Sequence, residues 1–171
     1  IDACQQGPQL VVYNGRGNQH LWASTVRCLP EPYLLGTNDV AELHNLDRLA
    51  IVLAMTCLTG QFADVSTSGA TLDERFLRQD NGGAAAVWSS TGLTVIYGQE
   101  ALMRGFHHQL WSRPPGTARL GELVEAGYFA LFGQQGCCQS TSKVYLLFGD
   151  PLTPARIMAP VTSSFLPFVR Q

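Results

Sequence analysis

A cysteine stands at the end of an apolar run in this chain of 171 residues. Cys57 follows the run from Leu49 to Thr56 and precedes Leu58-Thr-Gly60. Such a run is typical of a buried strand, and in open α/β sheets ligands and reacting groups gather beyond the carboxyl ends of the strands. A thiol there is a candidate nucleophile. The alternative is a buried structural cysteine, because free cysteine also packs as a small hydrophobe.

A glycine-framed turn upstream occupies the place where a base for that thiol is expected. The apolar run Leu10-Val-Val-Tyr13 leads into Asn14-Gly-Arg-Gly-Asn-Gln-His20. A cysteine nucleophile needs thiolate character, a proton donor for the leaving group and two hydrogen-bond donors for the oxyanion. A histidine on a neighbouring strand end meets the first two needs, yet the residue between the two glycines is Arg16. Arg16 is either a surface-loop arginine or a contact for an anion or a substrate.

Four apolar runs predict the strands that would position these residues. The runs extend over 10–14, 49–56, 83–89 and 143–148. Helical patterns alternate with them, so we expect an α/β fold in three layers, with a mainly parallel sheet and helices on both faces.

The helices are predicted from caps and apolar spacing. Thr37 can cap a short helix that carries Val40, Leu43 and Leu46 on one side, and Thr71 and Glu74 have capping-box spacing. The second helix is expected to end at Asn81-Gly82-Gly83. Two further helices carry the apolar sets Leu102, Phe106, Leu110 and, capped near Thr117, Leu120, Val124, Tyr128, Leu131.

The first strand has almost nothing before it in the chain. A strand as apolar as Leu10 to Tyr13 is normally covered on both edges, because exposed hydrophobic edges promote aggregation. We therefore expect strands missing from this chain to be supplied by another chain or segment beside Leu10 to Tyr13. Residues 1–152 are expected to form this partial domain, and residues 153–171, with prolines among them, an extended tail.

Composition excludes several classes of function. The chain is 46% hydrophobic and 14% charged, with a mean hydropathy near zero, as in a globular domain with a sizeable core. No apolar stretch reaches the length of a membrane span, and residues 1–20 lack the pattern of a secretion signal. The net charge of −2 without a basic cluster gives no reason to expect nucleic acid. Polypeptide or small-molecule partners are the default, and no cofactor is predicted.

Five cysteines leave at least one thiol unpaired within the chain. Cys4 and Cys28 fit either a disulfide in an oxidising compartment or two reduced thiols. The vicinal pair Cys137-Cys138 fits a redox disulfide or part of a metal site, but two unrelated thiols, or one bridging a distant cysteine, are favoured. No ligand cluster has zinc spacing, so no metal site is predicted.

Four motifs resemble the gingipain family of caspase-like cysteine peptidases, which are bacterial hydrolases. They are Tyr13-Asn-Gly-Arg-Gly17 with Trp22-Ala23, Leu53-Ala-Met-Thr-Cys-Leu-Thr-Gly60, Gly82-Gly-Ala-Ala-Ala-Val-Trp-Ser-Ser-Thr-Gly92 and Leu147-Phe-Gly-Asp-Pro151. The resemblance covers residues 10–152 and corresponds to the C-terminal half of the family's catalytic domain. It implies a caspase-like fold whose earlier strands precede this chain, and it favours an extracellular or periplasmic location.

The resemblance also implies site roles. Cys57 takes the nucleophile position, and the backbone N–H groups of Gly17 and Cys57 form the oxyanion hole. Trp88 and Ser89 would wall the pocket for the residue before the scissile bond. Arg16 stands where the family has its catalytic histidine.

Arg16 decides between two functional hypotheses. Arginine is a poor proton donor at neutral pH, because its pKa lies above about 12. The favoured hypothesis is a pseudopeptidase that serves as a structural or binding subunit of a larger assembly. The alternative is an active endopeptidase that uses Cys57 with His20, or with a base from a missing segment. A redox module built on Cys137 and Cys138 is a third, weaker hypothesis.

Overall fold

The computed structural model describes residues 1–23, 33–63, 69–134 and 137–158. Its strands and helices follow in chain order: α1 (Asp2–Gln5), β1 (Leu10–Asn14), β2 (Gly17–Asn18), β3 (Leu21–Ala23), β4 (Tyr33–Gly36), α2 (Thr37–Ala41), β5 (Ala50–Met55), α3 (Leu72–Arg78), β6 (Ala84–Ser90), α4 (Ile96–Trp111), α5 (Leu120–Phe132) and β7 (Tyr145–Phe148). Short 3-10 turns cover Leu46–Arg48 and Gln139–Lys143.

A four-stranded sheet in the order β1-β5-β6-β7 forms the centre of the fold. Strand β5 lies parallel to β1 and to β6, whereas β7 is antiparallel to β6. All six residues of β5 are buried, as its continuous apolar sequence predicts for a strand covered on both faces. Because β1, β5 and β6 run parallel, their carboxyl ends all lie at the same end of the sheet.

Two hydrophobic cores cover the two faces of the sheet. Ile51, Leu53 and Met55 of β5 pack with residues of α4 and α5, while Ala50, Val52 and Ala54 belong to the other core, which includes residues of α2 and α3. Because successive side chains of a strand point to opposite faces, one apolar strand supplies both cores. The expected three-layer α/β architecture is thus present.

Local predictions hold where a short pattern defines an element. All four strands lie where the apolar runs predict them, and Thr71 with Glu74 forms the expected capping box. The helix predicted to include Leu46 is wrong in extent: α2 ends at Ala41, and Leu46 lies exposed in a 3-10 turn. Helix α3 also ends earlier than expected, with Gln79 at its C-cap, although Gly83 has a left-handed φ of 99°.

Strand β1 forms one edge of the sheet in the part of the chain that the structure describes. It pairs only with β5 there, and the Val12 side chain is exposed. At the other end of the chain, the backbone next to Pro154 pairs with Arg119 and the side chains of Ala155 and Ile157 are buried. Residues 159–171, the greater part of the predicted tail, lie outside the described residues.

Candidate active site

A cleft opens beyond the carboxyl ends of the three parallel strands. Its volume is about 410 Å³, and it combines residues that follow β1, residues that follow β5 and residues that follow β6. The lining residues are Asn14, Gly15, Arg16, Gly17, Cys57, Leu58, Leu93, Thr94, Ile96 and Gln99. The structure thus brings Cys57, Arg16 and Gly17 together, at the edge where α/β sheets usually hold their ligands.

Cys57 is a half-buried free thiol held against Thr94. The Thr94 backbone N–H donates to Cys57 Sγ at 3.5 Å, and the thiol lies 3.7 Å from the Thr94 carbonyl oxygen and 3.6 Å from Thr94 Oγ1. Gln99 Nε2 donates in turn to Thr94 Oγ1, and the Gln99 side chain is buried. The contacts fix the position of the sulfur while leaving it accessible from the cleft.

The backbone after Cys57 turns sharply. Leu58 has a φ of 67°, a left-handed conformation that residues other than glycine seldom adopt. The Leu58 N–H donates to the Gly92 carbonyl, and the Gly60 N–H donates to the Ser90 carbonyl, so the turn is anchored to the end of β6. The Cys57 N–H donates to no acceptor among the described residues, which leaves it available to a ligand.

Gly17 approaches the end of β5 so closely that no side chain fits. A Cβ atom at Gly17 would lie 2.6 Å from Thr56 Oγ1. The Ala23 N–H donates to the Arg16 carbonyl, so Arg16 and Ala23 form a hydrogen-bonded pair of the small hairpin. Hydrogen-bonded and non-hydrogen-bonded pairs alternate along an antiparallel ladder. The next pair, Gly17 with Trp22, is therefore a non-hydrogen-bonded pair, in which the Gly17 N–H is directed away from β3.

Arg16 has a fixed backbone and a free side chain. Its carbonyl accepts from Tyr13 Oη at 2.6 Å and from the Ala23 N–H at 2.8 Å. The ring of Tyr13 stacks on the ring of Trp22 with centroids 4.5 Å apart, and this packing holds the Tyr13 hydroxyl in position to donate to Arg16. The guanidinium is exposed and makes no hydrogen bond or ion pair with any described residue. The loop therefore presents a cation at the cleft.

None of the chain's four histidines lines this cleft in the described structure. His20, the substitute base of the alternative hypothesis, lies in a separate depression of about 150 Å³ with Tyr33, Gly36 and Thr37. Its position follows from the hairpin between β2 and β3, which carries residues 19–20 at its tip. The structure therefore does not bring His20 and Cys57 together in one cleft.

The expected pocket wall also lies elsewhere. Trp88 and Ser89 belong to β6 and are fully buried, and neither lines the cleft. The ring of Trp88 packs against that of Phe106 in α4, with the ring centroids 5.7 Å apart. The wall comes instead from the segment that follows β6. It consists of Leu93, Thr94, Ile96 and Gln99. The signal that could have identified this wall is the short segment 91–95 between β6 and α4, which follows the carboxyl end of a parallel strand as Cys57 does.

A buried carboxyl group lies behind the loop that carries Cys57. Asp73, at the start of α3, is fully buried, accepts a hydrogen bond from Ser89 Oγ and donates its backbone N–H to the Thr59 carbonyl at 3.3 Å. Burial raises the pKa of Asp73 to about 7, the negative charge of Glu74 adds to the rise, and the Ser89 hydroxyl opposes it. Asp73 thus ties α3 and β6 to the loop that carries Cys57.

Three further cysteines have described positions, and none of them lines the cleft. Cys137 and Cys138 are joined to each other, which corrects the expectation of two unrelated thiols or a bridge to a distant cysteine. Cys4 is a free thiol in α1, and Cys28 lies outside the described residues. Among the residues with described positions, no group of three or more His, Cys, Asp or Glu side chains could hold a metal ion.

Comparison with known proteins gives a family match over most of the chain. The family model described as peptidase family C25 matches residues 1–156. No curated protein matches the chain. Among the helices that the structure describes, none is long and apolar enough to cross a membrane.

Solved structures share the fold. The complex of the pro- and mature domains of RgpB from Porphyromonas gingivalis has 22% sequence identity and a TM-score of 0.74, covering 89% of this chain and 36% of that chain. The crystal structure of the Arg-specific cysteine proteinase gingipain R has 23% identity and a TM-score of 0.70, covering 90% and 35%. A structure described as a protease has 17% identity and a TM-score of 0.73, covering 97% and 40%. These likenesses confirm the caspase-like fold, and this chain spans somewhat over a third of the length of each match.

Proposed function

The chain belongs to peptidase family C25, the gingipain family, and from that premise we propose that it is a cysteine-peptidase-like domain whose hydrolytic step is impaired and whose cleft serves for binding. Cys57 takes the position of the nucleophile in this proposal. Arg16 replaces the catalytic histidine. The N–H groups of Gly17 and Cys57 supply the oxyanion hole.

One observation carries the proposal: Arg16 and Cys57 line the same cleft, and no described histidine does. A guanidinium can favour the thiolate by its charge. It cannot hand a proton to a departing amine at neutral pH, because it has a pKa above about 12. Loss of a general acid and base costs about 10²- to 10⁴-fold in rate, and more where nucleophile and base act as a unit. We therefore expect very slow or no turnover.

Two backbone N–H groups at the cleft support a binding role. The Cys57 N–H has no acceptor among the described residues, and the Gly17 N–H is directed away from β3. Two such donors bind a carbonyl oxygen whether or not a reaction follows. A binding role needs these groups but needs no proton donor, so it is compatible with Arg16.

Completion of the sheet is the second part of the proposal. Strand β1 exposes one edge in the described structure, and its sequence from Leu10 to Tyr13 is too apolar to be left in water. We propose that another chain or segment pairs with this edge. One of the matched structures is itself a complex between a prodomain and a mature domain, which supports a protein partner for this fold.

The test is peptide hydrolysis by the wild type, by Cys57→Ala, by Arg16→His and by the double variant Arg16→His with Cys57→Ala. Because a matched structure is an Arg-specific proteinase, arginyl amides are included in the substrate panel together with denatured casein. The expected result is no turnover by the wild type, a gain with Arg16→His and loss of that gain in the double variant. Wild-type turnover that Cys57→Ala abolishes would show a working endopeptidase with a base from outside the described residues.

A further inference from the structure

We propose that the cleft at Cys57 binds the free carboxylate at the end of a peptide chain whose last side chain is apolar. The inference rests on the proposed function and specifies the ligand of the same site. It depends on three donors for an anion, on a wall without negative charge, and on apolar side chains beside the thiol.

The residues that carry the donors line the same cleft. Arg16, Gly17 and Cys57 all line it. The Arg16 guanidinium has no partner among the described residues, and its backbone is fixed by Tyr13 Oη, so binding need not break an existing ion pair. Arginine matches the two oxygens of a carboxylate with two parallel hydrogen bonds. The backbone N–H groups of Gly17 and Cys57 add neutral donors beside it.

No carboxylate lines the cleft in the part of the chain that the structure describes. A pocket that selects a basic side chain needs a negative group, so this part of the cleft does not favour an arginine or lysine. Leu93 and Ile96 form its apolar wall and are 78% and 63% exposed. Their exposure leaves apolar surface that a ligand side chain can cover, at about 25 cal/mol per Å² of buried area.

A terminal carboxylate fits these groups better than a peptide bond within a chain. An internal carbonyl is neutral and satisfies the two backbone donors but leaves the guanidinium unpaired. A terminal carboxylate carries a full charge on two oxygens, which can meet the guanidinium and the backbone donors together. An Asp or Glu side chain offers the same carboxylate chemistry, so the experiment must separate the two sources.

The test is fluorescence anisotropy with labelled hexapeptides of Gly and Ser that end in Leu, measured with the purified protein. One probe carries the free carboxylate and a second carries a terminal amide. A third carries the terminal amide and has Glu immediately before the final Leu. We expect the free carboxylate to bind roughly 10- to 100-fold more tightly than the amide, the usual range for a hydrogen bond to a charged group. The Glu probe is expected to bind like the amide.

Arg16→Gln should remove the preference for the carboxylate, whereas Arg104→Gln, at an exposed position of α4 outside the cleft, should keep it. Equal binding of the acid and the amide, or a preference that survives Arg16→Gln, would overturn the inference. Tight binding of the Glu probe alone would assign the site to acidic side chains and would also overturn it. These outcomes do not depend on hydrolysis, so they are distinguishable from a failure of the proposed function, which the turnover assay reports.

Discussion

Replacement of Asp73 by Asn should remove a pH dependence from the stability of the protein. The Asp73 carboxyl is fully buried behind the Cys57 loop, and burial raises its pKa from 3.8 to about 7. In the unfolded chain the carboxyl ionises near pH 4. In the folded protein it keeps its proton until about pH 7. Between these values the unfolded state binds fewer protons, so the free energy of unfolding falls as pH rises.

The magnitude follows from the difference between the two pKa values. The two pKa values differ by about 3 units, and each unit corresponds to about 1.36 kcal/mol. The free energy of unfolding should therefore fall by about 4 kcal/mol between pH 4 and pH 7. Below pH 4 both states are protonated, and above pH 7 both are ionised, so the curve is level outside this window. Asn cannot ionise and can still accept the hydrogen bond that Ser89 Oγ donates.

The assay is urea unfolding at pH 5, 6, 7 and 8. Relative to the wild type, Asp73→Asn should become progressively more stable between pH 5 and pH 7, by about 3 kcal/mol, and the difference should level off by pH 8. Asp80→Asn is the matched control, since Asp80 is an exposed carboxylate just beyond the same helix and should leave the wild-type slope unchanged. Parallel curves for the wild type and Asp73→Asn would refute the assignment of a neutral, buried carboxyl group.

Three further substitutions test the packing around the site and in the core. Gly17→Ala should destabilise the protein by about 1 to 3 kcal/mol in urea unfolding, because its Cβ would lie 2.6 Å from Thr56 Oγ1; an unchanged midpoint would contradict the close approach. Thr94→Ala should speed alkylation of Cys57 by iodoacetamide about fivefold, because Thr94 Oγ1 donates to the Thr56 carbonyl and so accepts from the protonated thiol, a hydrogen bond worth about 1 kcal/mol; site-specific mass spectrometry is the measurement. A slower reaction would contradict this prediction. Gly127→Ala should lower the melting temperature, because its Cβ would lie 2.4 Å from an indole carbon in the core, and an unaltered melting temperature would show that the helix can shift.

Elements defined by short patterns could be predicted from the sequence. The run 49–56 is apolar throughout, and a strand buried on both faces is the structure that such a run favours. Thr71 and Glu74 form the predicted capping box because their side chains accept hydrogen bonds from backbone N–H groups at the start of the helix, with no need of distant partners. Cys57 could be placed at a sheet edge for the same reason, since its position follows directly from the end of the strand.

Elements that depend on distant contacts could not be predicted in the same way. Strands β2, β3 and β4 have two to four residues each, too few for an alternating pattern to be recognised. Their small sheet keeps His20 away from Cys57. The cleft wall was misplaced because Trp88 and Ser89 continue the apolar strand and point into the two faces of the sheet, whereas the wall belongs to the next loop.

The position of Arg16 explains how this fold can change its chemistry without changing its structure. The Arg16 backbone is held by Tyr13 and Ala23, while its side chain is exposed and without a described partner. Substitutions at such a side chain usually change stability by less than about 0.5 kcal/mol. On the proposed function, the same loop could present a histidine for proton transfer or an arginine for binding an anion, and exchange of one for the other would cost little folding stability.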